Sequence, residues 1–135
     1  MNVTRVLVVG EPLHEIIGEE RGGGSRGFGG DALNVAVYLA REAPALRVGL
    51  GAAVGDDSPT SSMMKALVAE GLDLSCVRRV PGTRTGLYSV ATDDSGERSF
   101  TYRRRDSPFR IPKIASQAED HTAGVGGPLC ACAGR

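Results

Sequence analysis

The chain is poor in aromatic residues: it has no tryptophan, three phenylalanines and three tyrosines. Each aromatic side chain is therefore a candidate for a specific role. An excess of one charge is also missing, since 16 basic residues balance 16 acidic ones, and this argues against attraction to nucleic acid or membranes. No apolar run approaches the roughly 20 residues that span a bilayer, and no signal-peptide cleavage pattern follows the start. We expect a cytoplasmic protein without nucleic-acid or membrane partners.

Cysteine and histidine are scarce as well. The three cysteines form an odd count without framework spacing, which argues against a disulfide scaffold and for a reducing compartment. Cys130 and Cys132 lack a second pair of ligands, so we expect no metal site. Neither His14 nor His121 has an acid–base partner nearby in the sequence, and we expect both on the solvated surface.

The main feature that the chain does contain is an alternation of apolar strands and amphipathic helices. Apolar residues make up 41% of the 135 residues, enough for the core of one domain. Short apolar runs at residues 6–9, 47–54 and 76–80 are typical of buried strands, and a helical pattern separates each pair. This order predicts an α/β fold with a parallel sheet wound right-handedly.

Two helices are predicted from apolar spacing and capping residues. The first is expected to run from an N-cap at Asp31 to a stop before Pro44. Its buried face, spaced at i, i+3, i+4 and i+7, holds Leu33, Ala36, Val37 and Ala40. The second is expected to run from a cap at Ser58 or Thr60 to a stop at Gly71. Its buried side is predicted to hold Met63 or Met64, Leu67 and Val68.

A period of two replaces the helical pattern at residues 86–93 and 97–104. The intervening residues 94–96 (DSG) predict a hairpin loop with glycine where φ is positive. The matching register places Tyr88 opposite Tyr102 and puts Phe100 and Arg104 on the same face. That face is either simple cross-strand packing or a polar-aromatic wall over a ligand.

The organisation stops after about residue 110. Residues 111–135 show neither a helical nor a strand period, and their small-residue composition is typical of coil. We expect residues 1–110 to form one structured part, and residues 111–135 to be an unrelated or disordered tail.

The glycine-rich segment at residues 19–30 predicts a loop or an edge hairpin. Residues 27–32 fit the dinucleotide fingerprint G-x-G-x-x-G/A, but that motif must follow its strand directly, and Asp31 would repel a phosphate. Alternatively, the glycines admit a polyol close to the backbone, with Asp31 and Asn34 as hydrogen-bonding groups. A flexible loop before a capped helix is the third interpretation.

Several segments in one register resemble the PfkB/ribokinase family of carbohydrate kinases. Residues 29–41 (GGDALNVAVYLAR) look like the first signature of that family. Residues 10–12 (GEP), 54–57 (VGDD), 70–73 (EGLD), 86–88 (GLY) and 96–102 (GERSFTY) resemble it too. Residues 26–31 (RGFGGD) and the lid segments are most similar to the 2-keto-3-deoxygluconate kinase branch. The resemblance covers roughly residues 5–110.

The resemblance implies a ribokinase-like α/β fold, in which helices flank a parallel sheet and a small β lid covers the sugar. It also implies contacts with a sugar acid at five residues: Gly30, Asn34, Tyr88, Tyr102 and Arg104. A planar guanidinium binds a carboxylate through two parallel hydrogen bonds, which suits Arg104. One departure is that Arg103 stands where these kinases usually have tryptophan.

The resemblance also implies ATP and Mg²⁺ as cofactors of the full-length family, and homo-oligomers formed through the lid. The catalytic base and the anion hole of the family lie in a Gly-Ala-Gly-Asp segment, and nothing in residues 111–135 resembles it. We therefore expect the N-terminal part of a truncated sugar-acid kinase that is inactive alone and binds the cofactors poorly. The alternative is a non-catalytic sugar-acid-binding fragment or an unstable remnant.

Overall fold

The computed structural model describes residues 3–19, 22–110 and 131–133. Their elements, in chain order, are β1 (Arg5–Val9), β2 (Leu13–Ile17), β3 (Ser25–Gly29), α1 (Asp31–Glu42), β4 (Arg47–Val54), α2 (Ser58–Ala69), β5 (Val77–Arg79), β6 (Leu87–Thr92), β7 (Arg98–Arg103), a 3₁₀ turn (Pro108–Arg110) and β8 (Ala131–Ala133). The strands form two sheets, with the orders β5-β4-β1-β8 and β3-β2-β6-β7. None of the helices within the described ranges is long and apolar enough to cross a membrane.

The first sheet is parallel throughout, as the alternation of strands and helices predicts. Alternate residues of β4 (Val48, Leu50, Ala52 and Val54) lie in one core with the apolar faces of α1 and α2. Since alternate residues of a strand point to one side, both helices pack on the same face of this sheet. The predicted strands at residues 6–9 and 47–54 are confirmed, and the third is confirmed as β5.

The apolar face of α1 is confirmed, but its predicted N-cap is wrong. Leu33 and Ala36 are buried, and Val37 and Ala40 pack against the same core. The N-cap residue is Gly30, whose carbonyl accepts the Asn34 N–H at 2.9 Å, and no side chain caps the helix. Asp31 is the first helical residue instead, where its negative charge suits the positive end of the helix dipole.

Two predictions about α2 are corrected. Its N-cap is Asp57 rather than Ser58 or Thr60, and the Thr60 hydroxyl donates to Asp57 Oδ1 at 2.7 Å. Val68 is 61% exposed, whereas Met63 and Leu67 are buried. The core-facing row begins at Thr60 and continues through Met63 to Leu67. Val68 follows Leu67 by about 100° around the axis and so points to solvent.

The second sheet forms a lid layer beside the first. Residues 25–29 are the edge strand β3, antiparallel to β2, so the edge-hairpin interpretation holds for this segment. The sequence does not predict β2, which pairs with β6 in parallel. The predicted β6–β7 hairpin is confirmed: Tyr88 pairs with Tyr102, and Gly96 at the turn has φ of 85°.

A short strand, β8, pairs with β1 in parallel at residues 131–133. The sequence predicts coil there, and that prediction is wrong for these three residues. Strand pairing uses backbone groups, and β1 offers an unpaired edge that any extended segment can join without a side-chain pattern. The rest of the predicted tail, and His121 with it, lies outside the described residues.

Candidate functional site

The beginning of α1 forms one wall of a cavity. Gly30 has φ of 111° and ψ of 143°, a conformation that is largely restricted to glycine. A Cβ at this position would also lie 2.6 Å from the carbonyl oxygen of Glu11. Glycine therefore lets the chain pass directly over the end of β1 and enter α1, which brings Asn34 to the cavity.

The β6–β7 hairpin forms the facing wall. The rings of Tyr88 and Tyr102 lie 5.8 Å apart, and the Phe100 ring lies 6.5 Å from that of Tyr88. The Arg104 guanidinium lies 5.1 Å from the centre of the Tyr102 ring, which is within cation–π distance. The predicted common face of these four residues is confirmed.

Between the two walls lies a cavity of about 560 Å³, a usual size for a small-molecule site. All five predicted substrate-binding residues line it: Gly30, Asn34, Tyr88, Tyr102 and Arg104. The structure therefore brings these residues together, although they are up to 74 positions apart in the sequence. Their roles in binding stay predictions. Arg103 is exposed, pairs with Leu87 in the strand register, and is not among the lining residues.

Two residues that were not predicted from the sequence, Glu11 and Phe109, also line the cavity. Glu11 follows the end of β1 after Gly10, and ligands of parallel sheets bind beyond the carboxyl ends of the strands. That rule, applied to the GEP segment, is the signal that points to Glu11. Phe109 lies in the 3₁₀ turn after the hairpin, where no periodic pattern predicts its position.

Two acidic side chains contact the polar groups of the cavity wall that the β6–β7 hairpin forms. The Tyr88 hydroxyl donates a hydrogen bond to Glu15 Oε2 on the neighbouring strand β2. Burial, reinforced by that bond and by the Glu15 charge, raises the pKa of Tyr88 above its ordinary value, so the phenol stays protonated. Arg104 Nη1 lies 3.4 Å from Glu11 Oε2, and this pair joins the hairpin to the end of β1.

A second polar cluster lies where α2 begins. His14 Nε2 lies 3.4 Å from Thr60 Oγ1 and 3.8 Å from Asp57 Oδ2, and the His14 side chain is 14% exposed. The Thr60 hydroxyl lies 2.6 Å from that of Thr85. Burial lowers the pKa of His14, and the nearby Asp57 carboxylate opposes part of that shift. The predicted surface position of His14 is wrong, because β2 carries the residue against α2.

A family model for the pfkB family of carbohydrate kinases matches residues 3–119 of the chain. The chain belongs to this family. A 2-dehydro-3-deoxygluconokinase of Dickeya dadantii (strain 3937) is 38% identical over 113 residues, which are 82% of this chain and 36% of that protein. The name is a synonym of 2-keto-3-deoxygluconate kinase, so the predicted resemblance is confirmed. The chain spans about a third of the length of this curated relative.

Solved structures agree with the predicted ribokinase-like fold. A fructokinase of Vibrio cholerae O395 in its apo form superposes with a TM-score of 0.78 at 24% identity, over 96% of this chain and 53% of that one. A sugar kinase of Pyrococcus horikoshii, solved in complex with ATP, has a TM-score of 0.66 at 23% identity, over 76% of this chain and 35% of that one. At these identities the likeness concerns the fold.

Proposed function

We propose that this chain forms the sugar-acid-binding part of a kinase that phosphorylates 2-keto-3-deoxygluconate. The observation that carries the proposal is that Arg104, Tyr102 and Asn34 line the same cavity. It combines a cation for a carboxylate with hydroxyl and amide groups for a polyol. The 2-dehydro-3-deoxygluconokinase relative supports the same substrate class.

Arg104 has the central role in this proposal. Its guanidinium presents a rigid fork of N–H donors that matches the two oxygens of a carboxylate. The Tyr102 ring beneath it favours a defined orientation of that fork. Tyr102 and Asn34 then bind hydroxyl groups, and the bare backbone at Gly30 lets the ligand approach closely. The Tyr88 hydroxyl is engaged by Glu15 as a donor, so it offers the ligand an acceptor.

ATP with Mg²⁺ is the phosphoryl donor that we propose for the whole kinase, in keeping with the family and with the ATP-bound relative. Within residues 3–19, 22–110 and 131–133, no group of three His, Cys, Asp or Glu side chains is arranged to hold a metal ion. We therefore assign Mg²⁺ to no residue of this part. The 135-residue polypeptide contains no segment like Gly-Ala-Gly-Asp, and we propose that it binds the sugar acid without phosphoryl transfer.

Two measurements on the purified 135-residue chain test the proposal. Isothermal titration calorimetry is expected to show saturable binding of 2-keto-3-deoxygluconate and much weaker binding of D-fructose, which has no carboxylate. A coupled ADP-release assay with MgATP and the sugar acid is expected to show no turnover. Equal binding of both ligands would contradict the substrate assignment. Turnover that persists through repurification would contradict the proposed inactivity. A folded chain that binds neither ligand would favour a remnant without function.

A further inference from the structure

Glu11 lines the cavity and follows β1 after Gly10. Its side chain is 10% exposed, although it carries a charge and lines an open site. Glutamate is rarely buried to this extent unless both carboxylate oxygens have partners. The contacts of the two oxygens therefore indicate what the site accommodates.

The two oxygens differ in their surroundings. Oε2 lies 3.4 Å from Arg104 Nη1. Oε1 is buried and has no hydrogen-bond partner in the part of the chain that the structure describes. A Cβ on residue 86 would lie 2.9 Å from Oε1, so Gly86 leaves the space in which this oxygen sits. A buried acceptor without a donor is unfavourable, and a native site usually supplies the donor from water or from a ligand.

The chemistry of a carboxylate restricts the missing partner. A carboxylate oxygen only accepts hydrogen bonds, so the partner must be a donor such as a hydroxyl group. A ligand carboxylate at this point would be repelled by Glu11. The same ligand carboxylate is attracted by Arg104, which retains N–H donors beyond the one directed at Glu11. The two residues thus favour a ligand that has a carboxylate at one place and a hydroxyl group at another.

We propose that Glu11 is a specificity-determining residue: its carboxylate, one oxygen of which lacks a donor, accepts a hydrogen bond from a ligand hydroxyl and also holds the Arg104 guanidinium in position. The site then selects hydroxylated acids over 2-keto acids of equal length without hydroxyl groups. This inference rests on the proposed function, because it assumes that the cavity binds a sugar acid. It adds a third residue, beside Tyr102 and Asn34, that recognises the hydroxyl groups of the ligand.

The test compares two ligands by calorimetry on the full 135-residue chain. One is 2-keto-3-deoxygluconate, and the other is 2-ketohexanoate, a six-carbon 2-keto acid without hydroxyl groups. The wild-type chain is expected to bind the first at least about tenfold more tightly, because a site with a buried acceptor disfavours an analogue that lacks the donor. In Glu11→Ala this ratio is expected to fall at least about threefold, mainly through weaker binding of the sugar acid, while Tyr102 and Asn34 keep part of the preference.

Glu42→Ala is the matched control, since Glu42 is exposed at the end of α1, and it should leave the ratio unchanged. Amide NMR spectra verify folding. If Glu11→Ala does not fold, Glu11→Gln replaces it in the test. Glutamine keeps the shape of the side chain but loses the charged acceptor, which forms the stronger hydrogen bond. The ratio of the two affinities should then fall at least about threefold. An unchanged ratio in the folded variant, or a wild-type ratio below about twofold, overturns the inference and leaves the proposed function standing. Binding of neither ligand to the wild type overturns both.

Discussion

Substitution of Gly30 by alanine tests the geometry that forms the cavity. Its dihedral angles, φ of 111° and ψ of 143°, are strained for any residue with a Cβ. The added Cβ would also lie 2.6 Å from the Glu11 carbonyl oxygen, so backbone has to move. Gly71→Ala is the matched control, because Gly71 has φ of 84° but nothing within 4 Å of the added Cβ. Each substitution reduces the conformational entropy of the unfolded chain by the same amount, so this effect cancels when the two variants are compared.

We expect Gly71→Ala to lower the free energy of unfolding by about 1 kcal/mol, the usual cost of a left-handed residue. Gly30→Ala is expected to lower it by about 3 kcal/mol, from the less accessible dihedral region and the backbone contact together. Urea unfolding followed by far-UV circular dichroism measures both, since the chain has no tryptophan. If the two variants agree within about 0.5 kcal/mol, the close approach of Gly30 to Glu11 is refuted.

Two further predictions concern the core and the pH dependence of stability. Met63→Ala is expected to lower the free energy of unfolding by about 2–5 kcal/mol, and Val68→Ala to change it by less than about 0.5 kcal/mol; similar effects on urea unfolding would contradict the orientation of α2. Burial lowers the pKa of His14 in the folded chain below its ordinary 6.5. Just below that pH the unfolded chain therefore binds more protons than the folded chain. The contribution of His14 to stability is thus fully present above pH 6.5 and is lost as the pH falls. His14→Gln is expected to reduce the decline between pH 7 and 5; an undiminished slope would show that other groups cause it.

The sequence predicts those parts of the fold that depend on local patterns. The bounds of β4 follow from its continuous apolar run, and the hairpin register follows from its loop and from the period of two. Once the register is known, alternation alone puts Tyr88, Tyr102, Phe100 and Arg104 on one face. One interpretation of the glycine-rich segment offers Asn34 as a polyol-binding group, and the resemblance to the family assigns sugar-acid contacts to Gly30 and Asn34. The fold brings both residues to the same cavity as that face.

The parts that the sequence does not predict depend on contacts between distant segments. Strand β2 is specified by its partners β3 and β6 rather than by its own alternation. His14 is partly buried because β2 carries it against Thr60, 46 residues away. Val68 is exposed because the sheet lies on the side of α2 that Met63 faces. Glu11 looks like an ordinary turn residue in the sequence, and its role becomes visible only when Arg104 is placed beside it.

The most direct test of the account compares Arg104→Lys with Arg103→Lys in calorimetric titrations of 2-keto-3-deoxygluconate. Lysine keeps the charge at both positions but cannot form the two parallel hydrogen bonds of a guanidinium. Arg104 lines the cavity, whereas the neighbouring Arg103 is exposed and does not. We predict that Arg104→Lys raises the Kd by about tenfold or more, equivalent to roughly 1.4 kcal/mol, and that Arg103→Lys leaves it unchanged. Equal Kd values for the wild type and both variants would contradict the assignment of this cavity to a sugar acid.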